Sequence, residues 1–297
     1  TRELAVPAPV NTIVSTLDTD GPSGTASTIF YVQTFVNDLG WESAPSPVSA
    51  GISIKPGALV DLTNLDAAPS GNYGITLRRI YRTQADASGS AEFFFLREIA
   101  AADTDTTDDA RGLGELLATT GWLPPPAAAF GLIALWNGVF SLLSGKTIHF
   151  SEPYAPYAYP VSYDITTVDT PVATAKWEQN YLVLTTGRPV LVQGQDPAGM
   201  SDTPLQIAAP CLSARSVVSF AHGVVWASSE GLAYAGANGQ YLLTGRSTAN
   251  PDGVLTPRQW KALVPSSMVA GRWGRFYACS YNDGTHWHGW IDQGGSL

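Results

Sequence analysis

Charge is what this sequence has least of. Asp, Glu, Lys and Arg make up 14% of its 297 residues, against about 25% in an ordinary soluble domain. Only four residues are lysine, which argues against long solvated helices, whose outer faces are built from Lys and Glu. Cysteine is almost absent. Cys211 and Cys279 are too few for a disulfide framework and lack metal-ligand spacing. Their apolar contexts, PCLSA and FYACSY, read as strands holding buried free thiols. There is no Asn-x-Ser/Thr acceptor and no signal-peptide pattern at the start. The G-x-S-x-G elbow, the H-E-x-x-H motif and the dinucleotide glycine fingerprint are all missing.

Glycine (29), proline (21) and many Ser and Thr residues fill the gap, and that exchange favours short strands joined by turns. The net charge of −9 is uneven. Residues 1–124 hold fifteen acids and seven bases, or −8, and residues 125–297 hold ten and nine, or −1. Neither half offers the basic stripe that holds a nucleic-acid backbone. No charge occurs between Glu115 and Lys146. However, PPP at 124–126 and Asn137-Gly138 interrupt that apolar stretch, leaving less than the ~20 residues of a membrane span. The expectation is a buried strand pair after a proline linker.

Residues 1–25 are rich in Pro, Thr and Asp and read as an extended arm or linker. From residue 26 to 123 the pattern is that of a small β-sandwich. STIFYVQTFVND is a strand, WESAPSPVSA an edge or crossing loop, and ALVDLTNLD a further strand. YGITLRRIYRTQ and AEFFFLREIA pair as a hairpin across Ala-Ser-Gly-Ser. Residues 127–297 repeat one unit. NGVFSLLSGKTIHFSE, QNYLVLTTGRPVLVQG, HGVVWASSEGLAYAG and GRFYACSYNDGTHWHGWID are each an apolar strand, a Gly turn and a second apolar strand. The turn glycines Gly145, Gly187, Gly231 and Gly284 stand 42, 44 and 53 residues apart, close to the ~40–50 of propeller blades. GLIALW, VATAKW, ARSVVSF and SSMVAGRW supply an upstream strand to each, and YDITTV or PLQIAA a fourth. Four units seldom close a propeller, so further blades are expected before Thr1.

Gly145-Lys146-Thr147 imitates the end of a phosphate-binding P-loop. That loop needs glycine where Phe140 stands, and the IHFSEPYAPYAYP that follows cannot open a helix. It reads as a hairpin turn instead. His286 and His288 share one strand face and could form a metal edge, with a third ligand from His149, His222 or a carboxylate. A plain Thr/His face explains them as well. DTDTTDDARG (103–112) resembles a calcium loop in composition but lacks the central Gly and bidentate Glu; a solvated turn with Asx-type caps is the simpler reading. Glu152, set among aromatics and prolines, is the best single candidate for a buried functional carboxylate. A glycosidase would pair it with an acid such as Asp164. Trp136, Trp177, Trp226 and Trp273 recur with the repeat and read as core packing, with a sugar-stacking platform as the alternative.

IFYVQTFVNDLGWESAPSPVSAG, ITLRRIYRT, FFFLREIAAADT and GELLATTGWLPPP together resemble a fibronectin-like insertion, and LIALWNGVFSLLSGKTIHFSEPYAPYAYP the segment that follows it, in the nozzle proteins (tail tubular protein B) of short-tailed bacteriophages. The resemblance covers residues 26–240, with SEPYAPYAYP and APSP its most telling motifs. It implies an all-β chain: a fibronectin-like β-sandwich followed by β-propeller blades. It also implies a structural virion protein of the tail, not an enzyme. Six copies would form a ring beneath the tail adaptor, beside tail fibre proteins, lining the distal channel for genome ejection. No catalytic, cofactor or metal residues are defined for that family, so none carry over. An acidic, lysine-poor wall suits a tube through which DNA slides without sticking. The competing readings are a carbohydrate- or receptor-binding tail protein using exposed Trp and Tyr, and a glycan hydrolase using Glu152.

Overall fold

A computed structural model describes residues 3–84, 92–109, 112–244, 255–282 and 287–291, the last as backbone only. The chain is all-β, built from many small antiparallel sheets. It divides into two compact units, residues 1–125 with 155–161, and residues 126–154 with 162–297.

In the first unit, β1 (Val14–Thr19), β2 (Ser27–Ile29), β3 (Tyr31–Asn37), β4 (Ile52–Ile54) and β5 (Leu59–Thr63) come first. They are followed by β6 (Ile75–Thr83), β7 (Phe93–Ala100), β8 (Thr106–Asp108) and β9 (Trp122–Leu123). Two three-stranded sheets, β1-β5-β8 and β3-β6-β7, and the pair β2-β4 enclose one core. Ile13, Tyr31, Val60, Leu62, Ile80 and Leu96 lie in it. Residues 14–19 are therefore not an arm, since β1 pairs along β5 from Val14↔Thr63 to Thr19↔Leu59. Ile13 is the cause: it is 1% exposed, and burying it draws the following residues onto the sheet edge. The single strand expected over STIFYVQTFVND breaks at Phe30, because β2 pairs with β4 and β3 with β6. Pairing of β6 with β7 gives the expected hairpin; its Ala-Ser-Gly-Ser turn lies outside the described residues.

The proline-rich stretch after β3 solves an edge problem. Proline has no N–H to offer a neighbouring strand, yet β3 is buried along its whole length. Three serines spaced by three take over. The backbone N–H groups of Ser43, Ser46 and Ser49 donate to the carbonyls of Phe35, Gln33 and Tyr31. In return their Oγ atoms accept from the N–H groups of those same residues, at 3.0, 3.1 and 2.9 Å. Each hydroxyl donates in turn to the carbonyl of the residue after it, which fixes its lone pairs toward β3. Six backbone groups of a buried strand are satisfied without a partner strand.

The second unit is a succession of meanders. β10 (Phe130–Ala134), β11 (Phe140–Ser144) and β12 (Thr147–Phe150) are followed by β13 (Tyr159–Pro160), which belongs to the first unit and pairs with β9. β14 (Ile165–Thr166) then completes a sheet ordered β10-β11-β12-β14. The second sheet is β15 (Pro171–Trp177), β16 (Asn180–Thr185), β17 (Val190–Gln193) and β18 (Ser201–Pro204). The third is β19 (Val218–Phe220), β20 (Gly223–Ala227), β21 (Leu232–Gly236) and β22 (Gly239–Leu242). A short helix, α1 (Pro257–Ala262), is held by a capping box between Thr256 and Gln259. β23 (Val269–Trp273), β24 (Phe276–Asn282) and β25 (Trp287–Ile291) form the last sheet. The strands of all four expected hairpins pair, each preceded by its upstream strand; the turn at Gly284 lies outside the described residues. The fourth strand of the second sheet is Ser201–Pro204 rather than PLQIAA. Leu205 just beyond it is instead buried in a core with Trp177 and Trp226.

Successive sheets of this unit share cores. Val139, Leu143 and Phe150 meet Tyr181, Val183 and Val192. Ala175 and Leu184 meet Val224 and Ala235. Val218 and Tyr234 meet Tyr277 and Cys279. The first strands also stand beside one another, β10 by β15, β15 by β19, and β19 by β23.

Candidate functional site

Glu152, the carboxylate singled out from the sequence, directly follows the Ser151 that pairs back to Phe140. It is half-buried, and its Oε1 accepts a hydrogen bond of 2.9 Å from the Tyr163 hydroxyl. Burial, with the Glu152 and Asp196 charges nearby, pushes the Tyr163 phenol up to about 12. Asp164, the proposed second acid, is the next residue, but its Oδ1 lies 2.8 Å from His149 Nδ1. Burial raises the Asp164 carboxyl, with the imidazole opposing that shift. The two acids thus belong to neighbouring but separate pairs, one with a phenol and one with an imidazole. A glycosidase requires them to face one glycosidic bond from two sides, and nothing in these pairings arranges that.

The same end of the first meander carries an unusual aromatic. Tyr154 is 80% exposed and takes φ 61°, a left-handed conformation that bulky residues rarely adopt. Its N–H donates to Gly138 O at 2.9 Å, and its ring lies over Gly138, where a Cβ would stand 2.5 Å from Cδ1. Gly138 itself has φ 71°, so this turn requires glycine for two reasons. Beside it, Asn137 is also left-handed, at φ 53°, and its Nδ2 donates to Gln195 O.

The remaining candidates fall into structural roles. Gly145 and Lys146 form the tight turn between β11 and β12, with Ser144 opposite Thr147. Lys146 Nζ donates to Val168 O, so the P-loop likeness is turn chemistry. Among the described residues no group of three His, Cys, Asp or Glu could hold a metal ion. His149 is engaged by Asp164 and His222 by Glu178. His286 lies outside the described residues, and His288 is placed only as β25 backbone opposite Tyr281. The calcium-like loop is not simply a solvated turn. Asp103 does cap, accepting from Ala100 N–H, but Thr106–Asp108 is a strand and Asp108 is fully buried. Arg82 and the Tyr31 hydroxyl both donate to its Oδ2, at 2.6 and 2.8 Å. Trp177 and Trp226 are buried in the core, and Trp226 Nε1 donates to Ala209 O. Trp136 is half-buried, whereas Trp273 is 64% exposed and does not pack as core. Both cysteines are buried and free. Burial pushes Cys211 up to about 12 and Cys279 up to about 11.

Sequence reasoning missed a hollow of about 490 Å³ on the outer side of β6 and β7. Glu42, Arg79, Tyr81, Phe95, Glu98 and Leu116 line it. At its base the nearly buried Glu42 accepts from the Thr34 and Tyr81 hydroxyls and from Arg79, each at 2.6 Å. Arg79 also donates to Glu98 at 2.9 Å. Burial, followed by the Glu42 hydrogen bond, raises the Tyr81 phenol well above its usual range. Three donors thus meet the Glu42 carboxylate, which is how a buried carboxylate remains tolerable. The network reads as structural. WESAP gives no signal of it, because all three partners come from other strands.

No protein-family model matches the chain, and no curated protein matches its sequence.

Proposed function

We propose that this chain is a structural virion protein: a subunit of a short phage tail nozzle, one of six in a ring that forms the distal channel for genome ejection. One observation carries the reading. The second unit consists of successive antiparallel meanders whose first strands stand side by side, each sheet sharing an apolar core with the next. Blades of a β-propeller pack in this way, with first strands nearest the axis. The first unit, two small antiparallel sheets around one core, supports a fibronectin-like sandwich. The resemblance of residues 26–240 to nozzle proteins unites these parts in one kind of molecule.

The charge fits a conduit. An excess of eight acids over bases in residues 1–124 repels the phosphate backbone, so DNA passes without binding. Adaptor and fibre proteins are the neighbours this reading assigns. Sedimentation equilibrium of the purified protein tests it. The expected particle is six times the 31.4 kDa chain, and a monomer at all concentrations argues against the ring.

A further inference from the structure

We propose that the end of the first meander, around Tyr154, is a saccharide-binding platform. Tyr154, a residue 80% exposed, forgoes the burial that normally places Tyr inside. Here the exposure is also held in place. The left-handed φ of 61° is a conformation that survives only where its surroundings enforce it. The N–H bond to Gly138 O and the seat of the ring on Gly138 supply that enforcement. One ring face is therefore covered by the turn, and the other is open to solvent.

The polar residues adjoining Tyr154 and Gly138 in the chain define the ligand. Glu152, two residues away, is held by the Tyr163 hydroxyl through Oε1, leaving Oε2 to accept from a ligand hydroxyl. Asn137 is held to Gln195 O by its Nδ2, leaving its amide oxygen as a further acceptor. An exposed ring face, with acceptors on Glu152 and on the Asn137 that adjoins the ring's seat at Gly138, matches a pyranose, whose C–H face is apolar and whose hydroxyls point outward around its edge. An organic cation is normally recognised by several rings forming a cage, and among the described residues no second ring packs against Tyr154. The site requires no catalysis, in keeping with the separate pairing of Glu152 and Asp164.

The test uses the full chain on an array of bacterial polysaccharides and oligosaccharides. Titration calorimetry with the strongest hit follows, with tetramethylammonium as the cationic control. Saturable saccharide binding is expected. It should weaken at least 10-fold in Tyr154→Ala and Tyr154→Gly, and stay within about 2-fold in Tyr154→Phe. Tyr154→Gly relieves the left-handed backbone, so it guards against loss of binding through misfolding. The proposal is overturned if the array shows no saccharide bound, if binding survives removal of the ring, or if only tetramethylammonium binds.

Discussion

At the scale of single residues, the decisive features are left-handed conformations and buried polar groups, both set by distant partners. Gly138 shows the first. A methyl group there meets the Tyr154 ring at 2.5 Å and is strained at φ 71°. Gly138→Ala should therefore lower stability by roughly 1–3 kcal/mol, read as a fall in the urea midpoint with an unchanged slope. Gly145→Ala is a useful comparison, because it shares the positive φ but nothing stands near its missing Cβ; its loss should be the smaller. Asp108 shows the second feature. In the sequence it is one acid among four in DTDTTDD, and only the structure joins it to Arg82 and Tyr31. Glu42 was equally silent. Side chains of this kind cannot be identified by spacing, since their partners lie 8 to 77 residues away.

Hairpins and meanders were the legible elements, because an apolar run, a glycine and a second apolar run form a local pattern. What could not be read is long-range pairing. β1 joins a sheet through β5, with Leu17 opposite Val60, 43 residues on, and β13 returns to β9 from within the second unit's sequence. The serine ladder along β3 was half legible: the prolines marked an edge, but nothing local revealed that serine hydroxyls would stand in for a strand. Ser46→Ala tests that role. It removes the acceptor for the buried Gln33 N–H while keeping the local backbone, at a cost of roughly 1–3 kcal/mol. Amide exchange at Gln33 should accelerate relative to Ile80 on the neighbouring strand; unchanged protection would show that the hydroxyl does not hold the edge.

For the whole molecule, burial of ionisable groups gives a pH signature. Cys211 and Cys279 are raised from 9.0 to about 12 and about 11 by burial. Their neutral forms are favoured in the folded state, so their stabilising effect is fully present below pH 9 and is lost as pH rises through 11 and 12. Stability should therefore be flat in these groups near neutrality and decline above pH 9. Thiol-specific alkylation at pH 8 should be slow in the native protein and fast in urea, since the thiolate is the reactive form. Rapid labelling of the native protein would contradict the burial of both thiols.

The central claim, that the repeated meanders are propeller blades within a ring-forming tail subunit, is tested most directly by cryo-electron microscopy of the purified chain. The account predicts six-fold rings around an open channel, with the four meander sheets of each subunit arranged radially about a local axis. Solid particles without a channel, or sheets stacked in parallel layers with no such axis, would contradict it.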